Sequence, residues 1–143
     1  MLLAVSDDID RWFSGYFKTF IAISVGKVRS NKILSYWGVP LHVSGPKLSK
    51  WITSSGDVVT FLNEMQGVLR QAGYVLTEVL DKKTTIYSAN AGRVETIMSR
   101  RRKDGSEMDR AAVSFEIRRS QGSWIVISTT AAPTEQSRLA EVW

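Results

Sequence analysis

Histidine is the side chain that exchanges a proton near neutral pH, and this chain contains one, His42. It follows an aromatic pair, Tyr36 and Trp37, at the end of a predicted short helix. We predict that His42 and Tyr36 are catalytic residues at the rim of a pocket, with the imidazole as a general acid or base. The alternative is a surface or structural histidine. A metal site is not expected, because no cluster of further ligands accompanies His42.

Aromatic side chains and methionine are the second group of residues that could form a functional site. Small-molecule pockets are mainly apolar and carry a few polar groups, which these residue types supply. For any one of these residues the alternative is simple core filling. The predicted ligand-binding set is Trp12, Tyr16, Trp37, Trp51, Phe61, Met65, Phe115, Trp124 and Ser128.

Other chemical motifs are absent from the sequence. It has no glycine-rich phosphate loop, no metal-binding helix motif and no nucleophile elbow, so we expect no cofactor. The basic run from Arg100 to Lys103 alternates between the two faces of a predicted strand. We therefore interpret it as a solvated hairpin end and not as a phosphate site.

Composition restricts the class of protein. The chain has 143 residues, 43% of them hydrophobic, and a formal net charge of +5. This predicts one globular domain over residues 1–143, with a core of about 6–131 and a C-terminal tail at 132–143. Cysteine is absent, no long apolar run occurs, and residues 1–5 do not resemble a secretory signal. We expect a cytoplasmic protein without a membrane or nucleic-acid partner.

Three helices are predicted in the first half of the chain. Ser6 is a good N-cap for the first, whose aromatic residues recur at intervals of three and four. Ser54 and Asp57 have the spacing of a capping box before the third. The predicted helices span 7–24, 30–37 and 55–72.

The second half of the chain predicts strands, because after Gly73 the apolar period becomes two. The predicted strands span 74–80, 84–89, 93–101, 108–119 and 124–130, after two short extended pieces at 41–43 and 48–52. Ile125 and Ile127 make the last strand apolar on its second face. Together with Ile97, they predict a homodimer through the face that the helices leave uncovered.

Four stretches of sequence resemble the NTF2-like superfamily, which includes nuclear transport factor 2, ketosteroid isomerase and the polyketide cyclases of the SnoaL type. The stretches are SYWGVPL (35–41), TEVLD (77–81), SRRRKDGSE (99–107) and GSWIVI (122–127). The middle two resemble a SnoaL-like branch of uncharacterised function. The resemblance implies an α+β cone, with three N-terminal helices packed on a strongly curved, mainly antiparallel sheet.

The resemblance leaves the function divided between two classes. One is a protein that binds a hydrophobic small molecule, including a cofactor-free isomerase, cyclase, dehydratase or hydrolase. The other is a non-enzymatic homodimeric protein-interaction module with the same fold. The catalytic constellations of the characterised relatives are not matched, because Glu95 and Glu116 are expected to face away from the core. We expect a pocket above Val113, Phe115, Trp124 and Ser128, capped by the tail at 139–143.

Overall fold

The computed structural model describes residues 2–142, without the side chains of residues 2 and 3. It contains two long helices, α1 (Leu2–Ser24) and α2 (Ser55–Gln71). The predicted second helix is only a short 3₁₀ helix, Ser30–Ser35, because Trp37 already belongs to a strand. The expectation of three N-terminal helices is therefore confirmed only in part, by two long helices and one short 3₁₀ helix. No helix among residues 2–142 combines the length and apolar composition needed to cross a membrane.

Helix α1 begins at Leu2, five residues before the predicted start at position 7. Val5 continues the apolar face that Ile9 and Phe13 form at intervals of four, and all three are buried. Burial of this extra turn outweighs the capping preference of Ser6.

Six strands form one mixed sheet in the order β2-β1-β6-β5-β4-β3. All neighbouring pairs are antiparallel except β1 and β6, which are parallel. Register shifts bend several strands, as expected of a curved sheet. The strands are β1 (Trp37–Gly45), β2 (Leu48–Ile52), β3 (Tyr74–Ser88), β4 (Ala91–Arg102), β5 (Glu107–Ser120) and β6 (Ser123–Pro133).

Strand β3 is continuous, although two separate strands were predicted over the same segment. Its pairing with β4 shifts in register between Val79 and Asp81. The polar residues that suggested a break, Asp81 to Lys83, therefore lie within a bulged strand and not in a turn.

The helices pack on one face of the sheet, which we call the inner face. Val94, Phe115 and Val126 contribute to the core from three neighbouring strands. They pack with Ile9 and Leu62, one from each helix, and all five residues are at most 3% exposed. This core holds the helices against the sheet, and a cavity remains beside it between the helices and the inner face.

The C-terminal tail packs on the opposite face, which we call the outer face. The backbone N–H of Leu139 donates to Asp81 Oδ2 at 2.8 Å, and the guanidinium of Arg110 donates to Ser137 Oγ at 2.9 Å. Ile97 and Ala112, which pair on this face, are fully buried within the single chain. The tail therefore does not cap the cavity, and Ile97 is not available to a dimer partner. Trp143, part of the predicted cap, lies outside the described residues.

Candidate ligand cavity

A cavity of about 240 Å³ lies between the two helices and the inner face of the sheet. It is larger than the apolar cavity of ~150 Å³ that accommodates a benzene ring in a well-studied lysozyme variant. Phe17 and Phe20 of α1, Met65 and Leu69 of α2, and Leu48 of β2 form part of its wall. The sheet supplies the floor, formed by Thr77, Met98, Arg100, Ala111, Val113, Phe115, Thr129 and Ala131.

The aromatic wall of the cavity is fixed by a buried hydrogen bond between α1 and β1. The indole Nε1 of Trp37 donates to the phenol oxygen of Tyr16 at 3.1 Å. The ring of Tyr16 also contacts Phe20 and Phe115 edge to face, with centroids 6.3 and 5.7 Å apart. Burial raises the pKa of the Tyr16 phenol, which the Trp37 hydrogen bond lowers only in part, so Tyr16 is neutral at physiological pH.

A polar end of the cavity lies near the β4–β5 hairpin. Arg100 lines the cavity, and its guanidinium donates to both carboxylate oxygens of Asp109, from Nε at 2.6 Å and from Nη2 at 2.5 Å. The hydroxyls of Thr77 and Tyr74 share a hydrogen bond of 2.6 Å beside it. Burial raises the pKa of Tyr74, while Thr77 and the charge of Arg100 lower it.

Five of the residues predicted to bind a ligand line this cavity: Tyr16, Trp37, Phe61, Met65 and Phe115. Three further predicted residues lie in the surrounding aromatic core without lining it. Trp12 stacks on Tyr16 with a centroid distance of 5.8 Å, and Tyr36 contacts Tyr16 at 5.6 Å. Trp124 is buried beneath the guanidinium of Arg119, 4.8 Å from its ring centroid.

The other three predicted residues lie on the outer face. His42 contacts the ring of Trp51 with centroids 4.9 Å apart, and its Nε2 lies 3.4 Å from Ser49 Oγ. His42, Trp51 and Ser128 all line a groove that we call the outer groove. Its residues are Gly38, Val39, Pro40, His42, Trp51, Ile125, Ile127 and Ser128. The expectations that His42 points to the cavity opening and that Ser128 lies beneath the cavity are therefore corrected.

Two local features explain these positions. Leu41 and Val43 are buried on the inner face, so strand alternation directs His42 outward. In β6 the register shift places Ile127 as an extra residue between paired positions, which turns Ser128 outward and Thr129 inward.

Arg100 is the main cavity residue that sequence reasoning assigned to solvent. Next to the Lys103-Asp104-Gly105 turn, Arg101 pairs with Glu107, and a register shift then leaves Met108 as an extra residue and pairs Arg100 with Asp109. Asp109 shares the alternation of Ala111 and Val113, which face the cavity. The sequence therefore offered an opposite charge on the facing strand, but this charge identifies the partner of Arg100 only once the register shift is known.

Comparison with known proteins identifies the family and the fold of this chain. The sequence model of a family described as NTF2-like protein (DUF6841) matches residues 7–134. No curated protein matches the sequence. An NTF2-like protein with a cystatin-like fold from Novosphingobium aromaticivorans is similar in structure, with a TM-score of 0.68 and 11% identity, over 94% of this chain and 84% of that chain.

Two further solved structures share the fold. One is a protein from Catenulispora acidiphila in complex with S-DNPA, with a TM-score of 0.68 and 12% identity, over 92% of this chain and 94% of that chain. The other is the yeast UBP3-associated protein BRE5, with a TM-score of 0.70 and 7% identity, over 92% of this chain and 98% of that chain. At these identities the likeness concerns the fold alone.

Proposed function

Because this chain belongs to the NTF2-like family DUF6841, we propose that it binds a hydrophobic small molecule in the cavity between the helices and the inner face. The observation that supports this most directly is the cavity of about 240 Å³ with a mainly apolar lining. Tyr16, Trp37, Phe61, Met65 and Phe115 are the proposed ligand contacts. The protein from Catenulispora acidiphila, with the same fold, was solved in complex with S-DNPA.

The composition of the lining favours binding over general acid–base chemistry. Among the described residues that line the cavity, none is a histidine, aspartate or glutamate. The Tyr16 phenol is held neutral by burial and is a poor base for the same reason. His42, the residue predicted to exchange protons, lies in the outer groove. A ligand in the cavity would therefore meet hydrogen-bonding groups and apolar surface.

Methyl NMR tests this proposal, because methionines lie both inside and outside the cavity. Met65 and Met98 line it, whereas Met108 does not. In protein labelled with ¹³C at the methionine methyl groups, titration with 2-isopropylnaphthalene is expected to shift the signals of Met65 and Met98 and to leave Met108 in place. Unmoved Met65 and Met98 signals with this hydrocarbon and also with its analogues 2-acetylnaphthalene and 2-naphthoate would contradict the proposal.

A cavity-filling variant supplies the matched control. Ala111 lies on the cavity floor, and Ala111→Phe should occupy the volume and abolish the shifts. Val68 is 68% exposed on α2, so Val68→Phe adds an aromatic ring outside the cavity and should leave binding unchanged. Equal binding by the two variants would place the ligand elsewhere.

A second proposal concerns the outer groove, where we propose that a second copy of the chain binds. Trp51 is 64% exposed and Val39 is 40% exposed beside Ile125 and Ile127, so large apolar side chains lie next to one another at the surface of this groove. Next to it, Glu116 lies 3.7 Å from Arg118, so both charge signs adjoin the apolar residues. Such a patch can complement itself in the isologous contact of a two-fold dimer.

Light scattering after size exclusion tests the dimer. The expected mass is twice 16.0 kDa at micromolar concentration, and Trp51→Ser should shift it towards the monomer. Val68→Ser removes a side chain of similar exposure from α2 and should leave the mass unchanged. A wild-type protein of 16.0 kDa under these conditions would exclude this dimer.

A further inference from the structure

Arg100 is a feature of the cavity that the binding of a purely apolar ligand would not require. Among the described residues that line the cavity, it alone carries a formal charge. Its side chain is 32% exposed, so it is neither a free surface residue nor fully buried. The strand position before it on the same face belongs to Met98, and Ala111 pairs with Met98 across the hairpin. The guanidinium therefore adjoins apolar surface within the cavity.

Asp109 fixes the guanidinium and compensates its charge. Nε and Nη2 of Arg100 each donate to one carboxylate oxygen, at 2.6 and 2.5 Å. This two-point contact holds the planar group in one orientation. Among the described residues, Nη1 of Arg100 has no hydrogen-bond partner within the protein. The pair therefore offers hydrogen-bond donors while its net charge is close to zero.

Building on the proposed function, we propose that the ligand is a neutral apolar molecule that carries a carbonyl or hydroxyl oxygen, and that this oxygen accepts a hydrogen bond from Nη1 of Arg100. A neutral acceptor gains a bond from a charged donor without approaching a like charge. A carboxylate would compete with Asp109 for the guanidinium and meet its negative charge. A ligand without an acceptor would leave the donors of Nη1 unsatisfied wherever it excludes water.

Three naphthalenes of nearly equal shape separate these cases. They are 2-acetylnaphthalene with a ketone, 2-isopropylnaphthalene with no acceptor, and 2-naphthoate with a carboxylate. Their dissociation constants follow from titration of the Met65 and Met98 methyl signals. A hydrogen bond to a charged group corresponds to roughly tenfold in affinity, so the ketone should bind about tenfold more tightly than the hydrocarbon. The carboxylate should bind more weakly than the ketone.

Two variants of adjacent residues test whether Arg100 causes the preference for the ketone over the hydrocarbon. Arg100→Met removes the donors and should bring the ketone and the hydrocarbon to equal affinity. Arg101 points to the outer face, where its Nη2 lies 3.5 Å from Glu78 Oε2. Arg101→Met removes the same charge and should preserve the tenfold preference. If Arg100→Met does not fold, the order of the three affinities in the wild-type protein decides the question.

The outcomes distinguish this inference from the proposed function. Equal affinities for the ketone and the hydrocarbon in the wild-type protein, or a preference that survives Arg100→Met, overturn the role of Arg100 while leaving the cavity as a binding site. Tightest binding by 2-naphthoate overturns the neutral ligand in favour of an anion. Absence of binding by all three probes overturns the proposed function, and this inference with it.

Discussion

Replacing Tyr16 with phenylalanine tests the hydrogen bond that joins α1 to β1. The Trp37 indole donates to the Tyr16 phenol at 3.1 Å, and the two side chains are 3% and 4% exposed. Tyr16→Phe leaves the indole N–H of this nearly fully buried pair without its acceptor. An unsatisfied buried donor costs about 1–3 kcal/mol. We expect Tyr16→Phe to lower the free energy of unfolding by that amount at pH 7.

The cost of this substitution should decrease at alkaline pH. Burial raises the pKa of Tyr16 in the folded protein, whereas a tyrosine in the unfolded chain ionises near pH ~10. Above that pH the unfolded state binds fewer protons, so the stability that the neutral phenol contributes is complete below pH ~10 and is lost as the pH rises. The loss approaches about 1.4 kcal/mol per pH unit. The difference between wild type and Tyr16→Phe should therefore narrow by about 1.4 kcal/mol between pH ~9 and pH ~11.

Urea unfolding followed by far-UV circular dichroism at three pH values measures both quantities. Titrating groups that the two proteins share cancel in the difference between their unfolding free energies. A difference that stays constant up to the highest pH would show that the Tyr16 phenol is not protected from ionisation. A difference near zero at neutral pH would refute the contribution of the hydrogen bond itself.

Three further substitutions test the packing of the fold. A Cβ atom at Gly92 would lie 2.9 Å from the backbone oxygen of Thr85, so Gly92→Ala should lower the free energy of unfolding by about 1–3 kcal/mol. Gly67→Ala meets no atom within 4 Å on α2 and should raise it by about 0.5–1 kcal/mol, both measured by urea unfolding. Leu139→Ala should lower the free energy of unfolding by about 2 kcal/mol and speed hydrogen exchange of the amides around Ile97, and unchanged exchange would show that the tail does not protect this face.

Features decided by neighbouring residues were predictable from the sequence. The hydroxyl of Ser54 caps α2 by accepting from the Asp57 backbone N–H at 3.1 Å, as the spacing of these residues predicted. Gly105 adopts a positive φ of 85° in the predicted turn between β4 and β5. Both signals depend on a few consecutive residues, so the rest of the fold does not override them.

Features decided by distant contacts were not predictable in the same way. Trp37 has the sequence context of a helix end, yet it pairs with Val126 in the parallel part of the sheet. The backbone of β1 approaches β6 so closely that a Cβ atom at Gly38 would lie 3.2 Å from the backbone oxygen of Val126. This glycine permits the strand pairing, but its sequence context also fits a helix C-cap. Only the position of β6 distinguishes the two roles.

The division of residues between the cavity and the outer groove depends on one residue of β6. Strict alternation from Trp124 and Val126 would direct Ser128 to the inner face. Because Ile127 is an extra residue at the register shift, Ser128 joins the outer groove and Thr129 lines the cavity. A bulge of this kind has no reliable signal in a single sequence, since apolar residues occupy both faces of the strand before it. His42 is a different case, because its buried neighbours in β1 already required it to face outward once that segment was recognised as a strand. The outward position of His42 was thus available from the sequence, as were Val113 and Phe115 in the floor of the cavity, whereas the contribution of β6 to that floor was not.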